Sequence, residues 1–173
     1  MSAVLSECRK FRYLLHRKTN CPLRWIKPMV FVMINPSTAD EQKDDKTILK
    51  CIAIAEHNSC TDLYVVNLFP LRTKDVKEVD HYMKNTAASE VRPFSEENDR
   101  HITEVMNMLN AEIIVAWGAY KKIDTTKILA INFFKKHKGY DFKCVGINKD
   151  GSPKHPLFLS AKTPLIDYKA QVG

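Results

Sequence analysis

The feature that most constrains the fold is an apolar run, residues 29–34, that ends at Asn35-Pro36. A run of this length, rich in β-branched and bulky residues, is typical of a strand buried on both faces, as in a parallel sheet. Proline cannot donate to a sheet ladder and disfavours helix in the residue before it, so the strand is expected to end here. The small polar residues 37–40 follow directly.

Strand and helix patterns alternate along the rest of the chain. Further strands are predicted at 63–66, 112–117 and 142–147, and an N-terminal β-hairpin at 11–15 and 23–26. Helices are predicted at 47–55, 95–109 and 122–138. The alternation predicts a three-layer α/β/α sandwich around a mainly parallel, four-stranded central sheet, with the hairpin added at the N-terminus.

Length and composition favour one ordinary globular domain. The 173 residues are 45% hydrophobic and 27% charged, and we expect a single domain, 1–173, with a hairpin extension at 1–28 and a core at 29–165. No apolar run approaches the length of a membrane span, and charged residues stand where a signal peptide needs an apolar segment. We therefore expect a cytoplasmic monomer with no membrane partner.

The cysteines indicate neither a zinc site nor a disulfide framework, and their spacing alone leaves an iron–sulfur cluster as the remaining alternative. There are five, they are scattered, and none forms a CxxC pair. We expect no metal and no cofactor, and a metal-dependent or cysteine-nucleophile hydrolase ranks last among the candidate classes.

The charge favours a polyanionic partner. The formal net charge is +7, and lysine and arginine neutralise phosphates of nucleic acid and release counterions. Basic clusters at 9–12, 17–18, 121–122 and 135–138 are candidates for such a surface. Each of them is equally compatible with a solvated helix face.

Four distant stretches are expected to meet at one edge of the sheet. Asn35, Asn67, Trp117-Gly118 and His155 all lie at, or just past, the carboxyl end of a predicted strand. Ligands bind in the crevice beyond those ends in open α/β sheets, so the four stretches predict a site. The alternative is that Asn35-Pro36 forms only a turn before a capped helix.

The order of these motifs resembles the uracil-DNA glycosylase superfamily. INPS at 34–37 is similar to the GINPG motif of its mismatch-specific branch, and LYVVN at 63–67 to its LLLN strand. IVAWGAYKK at 114–122 resembles its LLWG strand with a basic helix start, and HPLFLSA at 155–161 its HPSPLSA loop. A narrower resemblance, carried by NPSTAD, VNLF, ENDR and the HP-L-L loop, is to an uncharacterised bacterial and phage family.

The resemblance implies a DNA glycosylase that cleaves the N-glycosidic bond of uracil or a modified pyrimidine by base flipping and water attack at C1′. Asn35 would hold the water, and Asp40 is the nearest carboxylate that could take its proton, with Asp44 and Asp45 either in reserve or capping a helix. His155 would donate a hydrogen bond to the base carbonyl as negative charge develops there.

The substrate-binding residues implied are Asn67, Ser37, Phe69, Gly118, Lys154, Leu159 and Ser160. Asn67 would read the Watson–Crick edge of the base, Phe69 would stack on it or belong to the core, and Leu159 would fill the gap left by the flipped nucleotide. Trp117 is expected to pack rather than to contact the base.

One departure from the superfamily leaves other functions open. Leu157-Phe158 stand where the superfamily has Ser-Pro, which removes a hydroxyl expected near a DNA phosphate. The partner is therefore expected to be DNA, duplex or single-stranded, in repair or antiphage defence, or else a nucleotide. The alternatives are a nucleoside- or nucleotide-processing enzyme of the same fold and a non-catalytic nucleic-acid or nucleotide binder.

Overall fold

The computed structural model describes residues 1–120 and 124–169. This part of the chain has a mixed α/β fold with one seven-stranded sheet. The strands are β1 (Ser2–Leu5), β2 (Arg12–Lys18), β3 (Pro28–Met33), β4 (Asp62–Asn67), β5 (Glu112–Val115), β6 (Phe142–Cys144) and β7 (Ile166–Asp167). The helices are α1 (Lys46–His57), α2 (Val76–Asn85), α3 (Ala88–Met106) and α4 (Asp124–Lys136), and a short 3₁₀ helix spans Pro156–Phe158.

The strand order is β1-β2-β4-β3-β5-β6-β7. The four strands at its centre, β4, β3, β5 and β6, run parallel to one another, whereas the pairings β1–β2, β2–β4 and β6–β7 are antiparallel. The α/β class is confirmed, and four parallel strands form the centre of the sheet, but the sheet has seven strands rather than four and is not mainly parallel. Half of the strand pairings are antiparallel because β2 and β7 flank the four central strands and run opposite to them, and β1 runs opposite to β2.

The N-terminal hairpin pairs different segments from those predicted. Its strands are β1 and β2, joined with a register shift near Leu5, and β2 also pairs with β4 inside the sheet. The predicted second strand at 23–26 is irregular, and Trp25 and Ile26 are exposed. Residues 2–5 were missed because an edge strand of four residues carries too short a pattern to recognise.

Helices cover both faces of β3, as its uninterrupted apolar sequence predicted. Val30 and Val32 pack with residues of α3 and α4, whereas Met29, Phe31 and Met33 pack with residues of α1. Every residue of β3 is buried. The strand therefore lies in the middle of the core, and its carboxyl end opens where the two helical layers meet.

The helix boundaries follow local capping at α1 but not at α3. Asp45 caps α1 by accepting hydrogen bonds from the backbone N–H groups of Thr47 and Ile48. Helix α3 was predicted to begin after Pro93, but it continues through this proline, and Phe94 stacks on Phe11 with ring centroids 4.0 Å apart.

Two predictions concern parts of the chain that the structure leaves out. The basic pair 121–122 and the predicted start of the fourth helix at 122 lie outside the described residues. Among the helices of the described ranges, none is long and apolar enough to cross a membrane.

A buried histidine makes the stability of the fold depend on pH. His137 is 4% exposed, and burial, reinforced by the charge of Lys136, lowers its pKa. As the pH falls below about 6.5, the unfolded chain takes up a proton that the folded chain resists, so the free energy of unfolding should decrease. Denaturant titrations at neutral and mildly acidic pH should show a smaller decrease in His137→Gln than in the wild type. The exposed control His81→Gln should keep the wild-type dependence, and an equal change in both variants would contradict this assignment.

Candidate functional site

A cleft of about 900 Å³ lies at the carboxyl end of β3 and β5. Its walls come from the residues that follow these two strands, from the first turns of α1 and α2, and from the loop that carries His155. These segments are far apart in the sequence, and the parallel strands bring them to one edge of the sheet. The cleft therefore occupies the position that the sequence predicted for a site.

The side chain of Asn35 is fixed in this cleft by two backbone carbonyls. Its Nδ2 donates to the carbonyl oxygens of Pro36 at 3.0 Å and Thr73 at 2.9 Å. Because both neighbours are acceptors, the amide has a single favourable orientation, and Oδ1 has no hydrogen-bond partner among residues 1–120 and 124–169. The cleft thus contains an oriented acceptor that can hold a water molecule.

His155 lines the same cleft as a neutral imidazole. Its Nδ1 accepts a long hydrogen bond, 3.4 Å, from the backbone N–H of Leu157, which assigns the proton to Nε2. Burial lowers the pKa of His155, although the charge of Asp45 acts in the opposite direction. At neutral pH the side chain can therefore donate one hydrogen bond through Nε2.

Gly118 joins the end of β5 to the His155 loop. It has a φ of +89°, and its N–H donates to the carbonyl oxygen of Pro153. A Cβ atom at this position would meet the Cβ of His155 at 3.6 Å, so a side chain here would be strained chiefly by the backbone conformation. Trp117 lines the cleft but is 3% exposed and packs against Phe134, as predicted for a packing residue.

The N-terminal ends of α1 and α2 both open on the cleft, through Thr47 and through Asp75 to Lys77. Asp75 caps α2 by accepting the N–H of Lys77 on Oδ1, and its Oδ2 has no hydrogen bond within the described ranges. Lys74 and Lys77 are exposed, and the described residues give neither of them an ion pair. Because the carboxylates of Asp45 and Asp75 already accept N–H groups of the two first turns, the lysines are the groups here that favour an anionic ligand.

Asn67 does not line the cleft, although its sequence position predicted that it would. It is 1% exposed, and it pairs in register with Met33, which does line the cleft, so the two lie on neighbouring strands. Its carbonyl accepts a hydrogen bond from Asn98, but both polar atoms of its side chain are buried without a partner among the described residues. Phe69 is buried too, and its ring lies 6.1 Å from that of Tyr82.

Asp40 lies outside the cleft lining. Its Oδ1 accepts the backbone N–H groups of Gln42 and Lys43, and its Oδ2 is 3.8 Å from Arg72. The hydrogen bond from Gln42, followed by that from Lys43 and the charge of Arg72, lowers the pKa of Asp40. The carboxylate is therefore ionised and already engaged in holding its own loop.

Two buried arginines, which the sequence did not reveal as structural, hold the loop that follows Asn35. Arg12 donates to the carbonyl oxygen of Ala39 at 2.8 Å, and Arg17 donates to that of Asp40 and pairs with Asp44 at 2.7 Å. Both arginines are almost fully buried. Burial lowers the pKa of Arg12 to about 10, which still leaves it charged at neutral pH.

The remaining predicted residues divide between the cleft and its surroundings. Ser37 lines the cleft, whereas Lys154, Leu159 and Ser160 do not. Leu159 packs against the core on the α1 side, and the hydroxyl of Ser160 accepts the N–H of Lys162. Phe158 lines the cleft instead and is 91% exposed.

The sequence analysis missed Asp75, Lys77 and Phe158 as residues of the cleft. The cap of α2 was hidden in a weakly helical segment, and only the Asp75 position before that segment could have indicated it. No group of three potential metal ligands occurs in the part of the chain that the structure describes.

Comparisons with known proteins give one match. A family model described as "Protein of unknown function (DUF1643)" matches residues 12–157, which extend from β2 into the 3₁₀ helix. The matched segment contains every residue that lines the cleft except Phe158. No curated protein and no solved structure matches the chain.

Proposed function

The chain belongs to the DUF1643 family, so its activity must be argued from the site, and we propose that it is a DNA glycosylase. The reaction is hydrolysis of the N-glycosidic bond of uracil or a modified pyrimidine after the nucleotide is flipped into the cleft. The observation that carries the proposal is that Asn35, Asp75 and His155 all line one cleft, and that Oδ2 of Asp75 has no hydrogen bond within the described ranges.

Asn35 and Asp75 bind and activate the water in this proposal. Asn35 Oδ1 orients the water molecule. As the oxygen of this water bonds to C1′, the carboxylate of Asp75 accepts a proton from the water. The two side chains belong to one rigid unit, because Asn35 donates to the carbonyl of Thr73 and the hydroxyl of Thr73 accepts the N–H of Asp75. We therefore propose Asp75, rather than Asp40, as the general base.

His155 stabilises the departing base. As the bond between C1′ and the base nitrogen breaks, its electron pair moves into the base, and Nε2–H of His155 donates to the carbonyl oxygen that gains charge. The base then takes a proton and leaves, and the sugar keeps the hydroxyl derived from water. A neutral imidazole is sufficient for this role, because it carries one N–H, on Nε2, that can donate to the base carbonyl.

The order of motifs also supports this assignment. The segments at 34–37, 63–67 and 155–161 resemble those of the uracil-DNA glycosylase superfamily in the same order along the chain. Asn67 stands at the sequence position where the resemblance expects the residue that reads the base, but it is buried and does not line the cleft, so the proposal gives it no contact with the base.

The proposal is tested by incubating the protein with duplex and single-stranded DNA that carries a panel of pyrimidines, including phage genomic DNA with modified bases. We expect mass spectrometry to detect a released free base, together with alkali-labile abasic sites in the same DNA. Absence of release across the whole panel would refute the proposal.

A second candidate, an enzyme that acts on free nucleotides, is favoured by one observation. Lys74 and Lys77, which line the cleft, suit a terminal phosphate, and positions 157–158 are Leu-Phe where the superfamily has a serine expected near a DNA phosphate. Base release from a nucleoside monophosphate that exceeds release from an oligonucleotide would select this candidate.

Phe158 takes the role that was predicted for Leu159 in filling the gap left by the flipped nucleotide. Because Phe158 is exposed, Phe158→Ala should change the free energy of unfolding by no more than about 0.5 kcal/mol. It should slow base release from a duplex about tenfold, and less from a single strand, because flipping costs a few kcal/mol only in the duplex. Leu159→Ala should instead lower the free energy of unfolding by about 1–3 kcal/mol and leave the rate of base release nearly unchanged. Equal effects of Phe158→Ala on both substrates would contradict this role.

A further inference from the structure

A second cleft, of about 520 Å³, adjoins the proposed active site. The two clefts share Ser37, Thr73 and Lys74. From these residues the second cleft extends to Arg72 and to the turn between β1 and β2, at Arg9 and Lys10. The two clefts are therefore neighbours, one lined by Asn35 and His155 and the other by the hairpin turn.

The wall of the second cleft is predominantly basic. Arg9 makes two hydrogen bonds to Glu41, at 2.8 and 3.1 Å, and Arg72 lies 3.8 Å from the Asp40 carboxylate. Lys10 is exposed and, like Lys74, has no ion pair within the described residues. The wall therefore carries four positive charges against two negative ones. The ammonium groups of Lys10 and Lys74 are available to a ligand.

The backbone holds these cations in place. The N–H of Arg72 donates to the carbonyl of Lys10 at 2.9 Å, and Phe11 forms an isolated bridge with Leu71. Arg72 also donates through Nη1 to the carbonyl of Arg9 at 3.1 Å. The hairpin turn and the segment that leads to α2 are therefore joined by hydrogen bonds, which bring the backbone of the four cationic residues to one wall of the cleft.

We propose that this basic groove, formed by Arg9, Lys10, Arg72 and Lys74, binds the phosphodiester backbone of the DNA strand whose base enters the cleft. The inference rests on the proposed function, because that function places a nucleotide in the adjoining cleft. A strand that continues from the flipped nucleotide past Ser37 and Thr73 meets Lys74 first and Lys10 later. The groove thereby selects a polynucleotide over a free nucleoside, which would leave it empty.

The experiment measures the affinity of a fluorescently labelled, unmodified single-stranded oligonucleotide by anisotropy over a series of salt concentrations. Lys10→Ala/Lys74→Ala should bind more weakly and reduce the slope of log affinity against log salt by about 1.4, or about 0.7 for each phosphate that is no longer neutralised. The matched control, Lys138→Ala/Lys169→Ala, removes the same charge from exposed lysines beside a different cleft, between α4, β6 and β7. This control should keep the wild-type slope.

Three results would contradict the proposed role of the groove. They are no binding of the oligonucleotide by the wild type, an unchanged salt slope in Lys10→Ala/Lys74→Ala, and an equal decrease of the salt slope in both double variants. Failure of the glycosylase proposal is distinguishable, since this binding needs no cleavage. A reduced slope confined to Lys10→Ala/Lys74→Ala supports the groove even if no base is ever released. If base is released but Lys10→Ala/Lys74→Ala keeps the wild-type salt slope, the glycosylase proposal is retained and the DNA-binding role of the groove is refuted.

Discussion

Replacing Asp75 by asparagine is expected to slow base release by about 10²–10⁴-fold, the usual contribution of a positioned general base. Asparagine is as good a helix N-cap as aspartate, so the hydrogen bond from the N–H of Lys77 and the start of α2 should be retained. The thermal unfolding midpoint should therefore stay near that of the wild type. Single-turnover kinetics under saturating protein would measure the loss directly.

The matched control is Asp40→Asn, at the carboxylate nearest to Asn35 in the sequence. Its side chain would still accept the N–H groups of Gln42 and Lys43, and it lies outside the cleft lining, so the rate should change less than about threefold. The opposite ranking, with Asp40→Asn much slower than Asp75→Asn, would assign the proton transfer to Asp40 and contradict the geometry argued above.

Replacing His155 by alanine should reduce the rate of base release by about 10²–10³-fold, the usual effect of removing one donor to a developing oxyanion. The loss should appear in the chemical step rather than in DNA affinity, because the hydrogen bond strengthens only as charge develops on the base. His155 caps the 3₁₀ helix through one long hydrogen bond, so the fold should tolerate the change.

The dependence of the rate on the leaving base distinguishes a catalytic role of His155 from a merely structural one. Pyrimidines with an electron-withdrawing 5-substituent leave as weaker bases and need less stabilisation of their negative charge. The rate ratio of wild type to His155→Ala should therefore shrink with these substrates. A ratio that stays constant across the series would mean that His155 only shapes the loop.

The core of the fold could be predicted because a strand buried on both faces leaves an unambiguous signal. Residues 29–34 form a continuous apolar run that ends at Asn35-Pro36, and β3 ends at Met33. The edges of the sheet could not be predicted in the same way. Strands β1 and β7 are short, and their pairing depends on neighbours that are distant in the sequence.

The site was predictable only where strand ends define it. Asn35, Gly118 and His155 line one cleft, because parallel strands bring their carboxyl ends to the same edge of the sheet. Asn67 also ends a strand, but its side chain is enclosed beside Met33. Whether a strand-end residue faces solvent or core depends on the packing of the next segment, which periodicity does not report.

The residues that sequence reasoning missed depend on loops. Asp75 is brought to the cleft because Thr73 hydrogen-bonds to Asn35 and to the backbone of Pro36, a contact across two loops. Phe158 lines the cleft where Leu159 was expected, because Phe158 ends the 3₁₀ helix facing outward and Leu159 packs against the core. A one-residue rotation of this kind is decided by tertiary packing.

The most direct test of the central claim is a crystal structure of the Asp75→Asn variant with a substrate oligonucleotide. We predict a flipped pyrimidine in the cleft, with a carbonyl oxygen about 2.6–3.2 Å from Nε2 of His155 and a water molecule bound to Oδ1 of Asn35. A base bound elsewhere, or one in the cleft without contact to either side chain, would contradict the account.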